Sequence, residues 1–427
     1  MATLLLFTLL FGLLFMGVPI AVALGLSTTL ILLFFTDQPT LVIASQMFTS
    51  LDKFALMAIP LFVLAGNFLS QGGAAKRIIR FARSVVGHLP GGLPMSAIFA
   101  CIIFAAVSGS SPATVAAIGS IMIGAIKEDG YSNSFSIGSI VCAGSLGILI
   151  PPSIVLIVYG VTVDQSIGRL FMAGVVPGIL LGGALMVFTY IAAVRGGFKR
   201  TQRAPFSEVW ASFKDASWGL FVVVIIIGGI YGGLFTPTEA AAVSAVYGFI
   251  VVKFIYGDLS WKQIPEVIKG SASTAAMIMF IIANAMVFAY LLTIEQIPQQ
   301  LAAWIIDMNL NKVMFLVVVN VLLLAAGNFM EPSSLIMIIA PLIFPVAMQL
   351  GIDPIHLGII VTVNMEVGML TPPVGLNLFV ASGISGESLG EVVKAAIPWF
   401  FVLLIGLLVI TYVPAISLWL PNLMYGS

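Results

Sequence analysis

Apolar residues run in long stretches from one end of the chain to the other, separated by short polar turns. Runs of about 18 residues or more are long enough to cross a bilayer as helices. They predict two helices within 3–35, divided near Gly17-Val18-Pro19, and a third at 54–71. Residues 97–126 are apolar but interrupted by Ser108-Gly109-Ser110-Ser111-Pro112, and 136–160 are interrupted from Gly147 to Pro152. A helix over 170–194 follows. The pattern then restarts with 218–235, 237–256 and 271–292, an interrupted 313–349, an interrupted 354–382, and 395–420.

The interruptions decide the topology. A stretch of about 30 residues with Ser, Gly and Pro in its middle predicts a re-entrant hairpin, and one of about 25 with a central Gly/Pro break predicts a spanning helix unwound at mid-membrane. Residues 97–126 and 313–349 are thus hairpins, and 136–160 and 354–382 are broken helices. Each half holds five crossings and one hairpin. The first repeat is 1–200, a cytoplasmic linker is 201–217, and the second repeat is 218–427. The expected fold class is an all-α polytopic membrane protein.

Composition agrees. Of 427 residues, 60% are hydrophobic and 8% charged, against roughly 25% charged in soluble domains. Too few charges exist to make a water-facing surface. Met1 to Phe35 lacks a basic leader and its apolar run is too long for a cleavable signal. The net charge of zero says nothing about nucleic acid, but no basic domain exists to bind it, so no nucleic-acid partner is expected. With the N-terminus outside, all of the 17 basic residues except Lys53, Arg169 and Lys312 fall on cytoplasmic connections. The positive-inside rule then puts both termini on the outer face. No GxxxxGK[ST], GxGxxG or GxSxG motif is present, so neither ATP use nor enzymatic catalysis is expected. Cys101 and Cys142 are expected as buried inert thiols, and His88 and His356 as solvated loop residues.

The halves align at an offset of 220–221 residues. Phe104-Ala105-Ala106 matches Leu324-Ala325-Ala326, and Pro112 matches Pro332. Leu146-Gly147-Ile148-Leu149-Ile150-Pro151-Pro152 matches Val367-Gly368-Met369-Leu370-Thr371-Pro372-Pro373. A direct repeat with an odd number of crossings is an inverted repeat in space. The amphipathic stretches 74–88 and 295–308 are then expected as interfacial helices on opposite faces; the plainer reading is two polar loops. Inverted repeats with discontinuous helices at matched positions point to the site of a secondary transporter.

Two clusters carry the candidate chemistry. The first is Ser108, Gly109, Ser110, Ser111, Pro112 and Thr114, with the second break at Gly144-Ser145-Leu146-Gly147 and Pro151-Pro152. Small residues also favour close helix packing, and the presence of a second break tips the balance toward function. The other cluster is Asn328, Glu331, Pro332, Ser333 and Ser334, with Asn364, Glu366, Gly368, Thr371, Pro372 and Asn377. An ionisable residue at membrane depth is a functional hypothesis by default. No Lys or Arg lies in a hairpin or broken helix to pair with Glu331 or Glu366, so a cation, a proton or backbone N–H groups must. The alternative is a helix cap at a polar tip, more so for Glu331. Glu239, just after Pro237, is expected to be structural.

The layout, with SGSSPAT at 108–114, GILIPPS at 147–153, NFMEPSS at 328–334 and GMLTPPVGLN at 368–377, resembles the large membrane subunit of TRAP transporters, the tripartite ATP-independent periplasmic systems. Hairpin-plus-broken-helix ordering is also, more distantly, similar to divalent-anion/sodium symporters. The TRAP resemblance covers essentially the whole chain. It implies Na⁺-coupled import of an organic acid, such as a C4-dicarboxylate or sialic acid, across a bacterial or archaeal inner membrane. It implies an elevator scheme, a periplasmic substrate-binding protein that delivers the acid, and a small four-helix membrane subunit. Two or more Na⁺ ions are expected, and no ATP. By resemblance, one Na⁺ site draws on Ser108, Ser110, Ser111, Gly144 and Gly147, and the second on Asn328, Glu331, Ser333, Glu366, Gly368 and Thr371. Substrate contacts are assigned to Ser108, Ser110, Thr114, Pro151, Ser153, Asn328, Ser334, Pro372 and Asn377. No Arg clamp is available at depth, so recognition of the carboxylate falls largely to the binding protein. Two other readings stay open: a stand-alone anion/Na⁺ symporter, and an ion channel with flux independent of a Na⁺ gradient.

Overall fold

The computed structural model describes residues 2–198, 201–300, 303, 310–328, 330–372 and 374–426. Within these the chain is helical, with no strand. The first half contains α1 (Ala2–Phe15), α2 (Ile20–Phe35), α3 (Leu41–Leu51), α4 (Ala58–Gln71, entered through a 3-10 turn at Phe54–Met57) and α5 (Ala74–Val86). Next come α6 (Gly92–Ser108), α7 (Ser111–Glu128), α8 (Ser139–Ser145), α9 (Ile154–Thr162) and α10 (Ile167–Arg195). The second half contains α11 (Phe206–Tyr231), α12 (Pro237–Ile250), α13 (Ile264–Ile294), α14 (Lys312–Gly327) and α15 (Pro332–Gln349). It ends with α16 (Pro354–Gly368), α17 (Leu376–Ser385), α18 (Leu389–Tyr412) and α19 (Ala415–Tyr425). Among the described residues, seven helical segments are long and apolar enough to cross a bilayer. Many large apolar side chains face outward on them, Ile179, Val224, Phe280 and Ile405 among them. Such a surface is stable only against lipid or another apolar partner.

Local sequence explains where the helices start. Polar residues followed by proline begin three of them: Thr236-Pro237, Glu331-Pro332 and Asp353-Pro354 each place a side-chain acceptor at the N-cap and proline in the first turn. Proline there loses no helical hydrogen bond, and the acceptor satisfies an otherwise orphaned N–H. Glu239 closes a capping box with Thr236, the structural role expected of it.

The interrupted segments fall where the apolar pattern is broken. α6 and α7 are joined through Gly109, whose φ of 62° is available to glycine at little steric cost. α8 ends in a 3-10 turn at Leu146–Ile148 before α9 begins. In the second half α14 and α15 are divided at 328–331, and α16 and α17 at 369–375. The order of helix pair, interrupted helix and long helix therefore recurs. Two groups of elements pack largely within themselves, α2 to α4 with α11 to α13, and α6 to α10 with α14 to α19; α5 lies between them, packed on α6 as well as on α11. In the second group, buried Trp399 of α18 donates to Thr189 of α10 at 2.7 Å, and Tyr159 of α9 donates to the Pro354 carbonyl at 2.8 Å.

Several expectations need correction. Residues 206–217 lie in the first half of α11, which starts well before 218, so only the beginning of 201–217 is a non-helical linker. α3 lies where no element was expected. The stretch 395–420 is two helices, divided at 413–414. His356 is in the first turn of α16, 1% exposed, with its ring nitrogens 2.7 Å from the Ser417 hydroxyl and 3.2 Å from the Thr411 carbonyl. It is a satisfied core residue, not a solvated loop one. Residues 74–86 form an amphipathic helix, as expected. Half of 295–308 lies outside the described residues.

Candidate functional site

The tip of the first hairpin is organised by its own hydroxyls. The Ser108 and Thr114 hydroxyls are 2.8 Å apart, and Thr114 also donates to the Ser110 carbonyl at 2.9 Å. Ser110 is the extended N-cap of α7. The tip meets the first broken helix backbone to backbone. A β-carbon built on Gly147 would stand 2.6 Å from the Ser110 carbonyl oxygen and 2.8 Å from the Ser111 nitrogen. On Gly109 it would stand 2.5 Å from the Pro152 carbonyl oxygen. These glycines are required by close approach, and a side chain at either would force the break apart.

Ser111 joins three breaks. Its hydroxyl donates to the Gly144 carbonyl at 3.1 Å and accepts from the Asn377 amide at 2.6 Å. Hairpin one, the first broken helix and the second broken helix thus meet at one oxygen. A second link lies alongside it. The Ser145 hydroxyl sits 3.1 Å from Glu366 Oε1, and both residues are fully buried.

The second half is built differently. Glu331 caps α15: Oε1 accepts from the Ser333 hydroxyl at 2.9 Å, and Oε2 from the Ser334 nitrogen and hydroxyl at 3.1 and 3.2 Å. All three predicted residues are brought together there, with the carboxylate spent on its own helix start. The Asn328 carbonyl accepts from the Val374 nitrogen at 3.1 Å, tying hairpin two to the second broken helix. Gly327 and Gly368 abut, with the β-carbon position of one 3.3 Å from the α-carbon of the other. Thr371 donates back to the Val367 carbonyl at 3.0 Å, and Pro372 is exposed in the break. Phe329 and Pro373 of the two motifs lie outside the described residues.

Not all of the predicted residues converge. Ser153 caps α9, accepting from the Leu156 nitrogen and donating to the Ile148 carbonyl. Pro151 is buried within the break. Conversely, Ser145 and Asn364 stand in the two sequence clusters but were assigned neither a Na⁺ nor a substrate contact. Asn364 donates to Asn320 of α14 at 2.8 Å, and Asn320 donates to Thr411 of α18 at 3.2 Å. One signal for Ser145 was available, since it aligns with Glu366 at the repeat offset of 221.

The unsatisfied atoms define the chemistry. Asn328 Oδ1, Asn364 Oδ1, Glu366 Oε2 and Asn377 Oδ1 are buried oxygens without a hydrogen-bond donor among the described residues. A buried acceptor left unpaired is costly. All four are hard oxygen ligands of the kind that suits an alkali or alkaline-earth cation. Among the described residues no group of three His, Cys, Asp or Glu could hold a transition metal. Cys101 and Cys142 are buried free thiols.

Comparison with known proteins decides the family. Residues 7–416 match the model of the tripartite ATP-independent periplasmic transporter, DctM component. The chain belongs to that family. It is 50% identical over 438 residues to the C4-dicarboxylate TRAP transporter large permease protein DctM of Rhodobacter capsulatus, covering 99% of this chain and 100% of the relative. It is 54% identical to the protein of the same name from Pseudomonas aeruginosa, over 94% of both. The sialic acid TRAP transporter large permease protein SiaM of Vibrio cholerae is 35% identical over 97% of both chains. Among solved structures, the Alcanivorax borkumensis YdaH transporter superposes with a TM-score of 0.54 at 17% identity, over 88% of this chain and 87% of that one. This is a likeness of fold. The chain is thus a multi-pass TRAP large permease subunit, a transport protein and not an enzyme.

Proposed function

We propose that this TRAP permease subunit imports a small organic acid, a C4-dicarboxylate in the first instance, driven by an inward Na⁺ gradient. A periplasmic binding protein delivers the acid and a small four-helix subunit completes the membrane complex. The observation that carries the reading is the meeting of the breaks at Ser111, Gly144 and Asn377 and at Ser145 and Glu366, where Glu366 Oε2 and Asn377 Oδ1 have no donor among the described residues. The substrate class rests on relatives about half identical over nearly the whole chain, which are named for C4-dicarboxylates.

The physical scheme follows from the breaks. Helix C-termini carry partial negative charge and helix N-termini partial positive charge. The ends of α14 and α16, with Asn328, Glu366 and Asn377, favour Na⁺, and the starts of α7, α9 and α17 favour carboxylate. No basic residue lies on the interrupted helices within 97–126, 136–160, 313–349 or 354–382. A dicarboxylate accompanied by two Na⁺ crosses without net charge, whereas each uncompensated charge works against about 2.3 kcal/mol per 100 mV. This favours two or more coupling ions. Ser108, Ser110, Thr114, Ser334 and Pro372 line the remaining edges of the breaks as substrate contacts.

The halves are read as inverted repeats with both termini periplasmic. Ser145 and Glu366 are equivalent positions in the two repeats and bond to one another. Equivalent residues meet in this way at a two-fold axis, and five crossings per half make that axis lie in the membrane plane. The group α6 to α10 with α14 to α19 would then move as one body against α2 to α4 with α11 to α13, an elevator motion. Reconstitution of the three-part complex tests the function. Labelled succinate should accumulate in proteoliposomes only with an inward Na⁺ gradient and the cognate binding protein. Equal accumulation by this chain alone would favour a stand-alone symporter, and gradient-independent flux would favour a channel.

A further inference from the structure

Two polar clefts open beside α5, of about 570 and 580 Å³, within the range of small-molecule sites. The first lies between α5, the end of α4 and the second arm of hairpin one, where Ala117 and Ser120 form the wall. Its charges are mostly committed. Arg77 bonds Asp215 at 3.1 Å and Asp258 at 2.5 Å, and stacks over Tyr256 at 3.7 Å. Arg80 bonds Glu208 at 2.9 Å and Asp215 at 3.5 Å. Lys76 lines both clefts, is exposed, and has no carboxylate partner among the described residues.

The first cleft leads toward the site. Ser120 lies six residues beyond Thr114 on α7, about 9 Å along a helix rising 1.5 Å per residue. On the facing wall Gln71 lies five residues beyond Gly66, whose β-carbon position is 2.9 Å from the Ser108 carbonyl oxygen. The helices α7 and α4 therefore both lead from the hairpin tip to the cleft that holds Lys76. The wall on α7 is Ala117, Ser120 and Ile121, with no charge, and the two carboxylates in the cleft are already neutralised by arginine.

We infer that this cleft is the cytoplasmic vestibule through which the transported acid leaves, and that the Lys76 ammonium is the cation that engages its carboxylate there. The inference rests on the transport reading above. A mobile ligand needs a cation not already locked into an ion pair, and of the three basic residues lining this cleft only Lys76 meets that condition. Its contact is weak and screened, which suits release rather than retention.

Site-directed labelling tests this separately from transport. Ser120→Cys in the reconstituted complex should react with a charged, membrane-impermeant thiol reagent from the cytoplasmic side. Cys101 and Cys142 are buried and contribute little background. Millimolar succinate should slow the labelling, and Lys76→Gln should raise the succinate concentration needed by about threefold to fivefold, with Lys76→Arg retaining protection. Labelling indifferent to succinate would overturn the proposal, as would protection unchanged in Lys76→Gln, or protection by phosphatidylglycerol but not by succinate, which would make the cleft a lipid headgroup site. Should Lys76→Gln fail to assemble, the succinate titration on Ser120→Cys carries the test alone. Protection without Na⁺-driven uptake would retain the vestibule and discard the transport reading; uptake without protection would do the reverse.

Discussion

At the first pair of breaks the polar groups bond one another, while at the second pair several acceptors are left over. Around Ser108, Ser110, Ser111 and Thr114 the hydroxyls find partners within the tip or in Gly144 and Asn377, and glycines bring backbone against backbone. Around Asn328, Asn364, Glu366 and Asn377 one oxygen of each side chain has no donor among the described residues. The first half therefore looks like the rigid, sterically defined wall of the site, and the second like its cation-seeking wall. A repeat in sequence has been put to two uses.

The largest effect should come from steric damage to the first wall. Gly147→Ala puts a methyl within 2.6 Å of the Ser110 oxygen and 2.8 Å of the Ser111 nitrogen. Overpacking of this kind costs about 1–3 kcal/mol, so uptake should fall about tenfold or more, read as initial rate per assembled complex. Gly327→Ala, where the nearest atom is 3.3 Å away, should lose less. Equal losses would remove the contrast in packing.

A middle-sized effect separates the hydrogen bond from the spare acceptor. Ser111→Ala and Asn377→Ala each break the 2.6 Å bond, worth about 0.5–1.5 kcal/mol, or roughly twofold to tenfold in rate. Only Asn377→Ala also deletes a donorless oxygen. It should raise the Na⁺ concentration for half-maximal uptake, and Ser111→Ala should not. A matching rise in both would place the cation at Ser111 as well.

The smallest effect lies at the periphery, where the two halves are tied together. Lys127 at the end of α7 bonds Glu387 between α17 and α18 at 2.8 Å, and this bond holds the Glu387 carboxyl below its usual range. A depressed carboxyl stabilises the fold above its unfolded pKa, about 4.3, and the contribution vanishes as pH falls through the lower folded value. Glu387→Gln should thus lower the melting temperature slightly at neutral pH, and the two proteins should converge under strongly acidic conditions. A difference that persists there would assign the loss to packing.

Much of this was legible beforehand because breaks have local causes. Glycine, proline and N-cap residues marked the interruptions at 108–112, 147–152, 328–332 and 368–377. Hydropathy alone was blind to α3, whose 11 residues include Ser45, Gln46, Thr49 and Ser50, and to the charged start of α11. The pairing of Ser145 with Glu366, of Ser111 with Asn377 and of Asn364 with Asn320 depends on tertiary packing across the chain, which no local pattern encodes. The capping role of Glu331 was written in Glu331-Pro332-Ser333-Ser334, but the same residues suit a cation site, and only the geometry shows how the carboxylate is bonded.

The central claim is that the second half supplies the cation-seeking wall, with Glu366 at its centre. Its direct test is the Na⁺ dependence of succinate uptake by the reconstituted complex carrying Glu366→Gln. Glutamine keeps the shape and can still accept from Ser145, but it carries no charge. The account predicts that Na⁺ no longer activates uptake in the variant at concentrations that saturate the wild type, while the complex still assembles. A Na⁺ activation curve unchanged in midpoint and amplitude would contradict it.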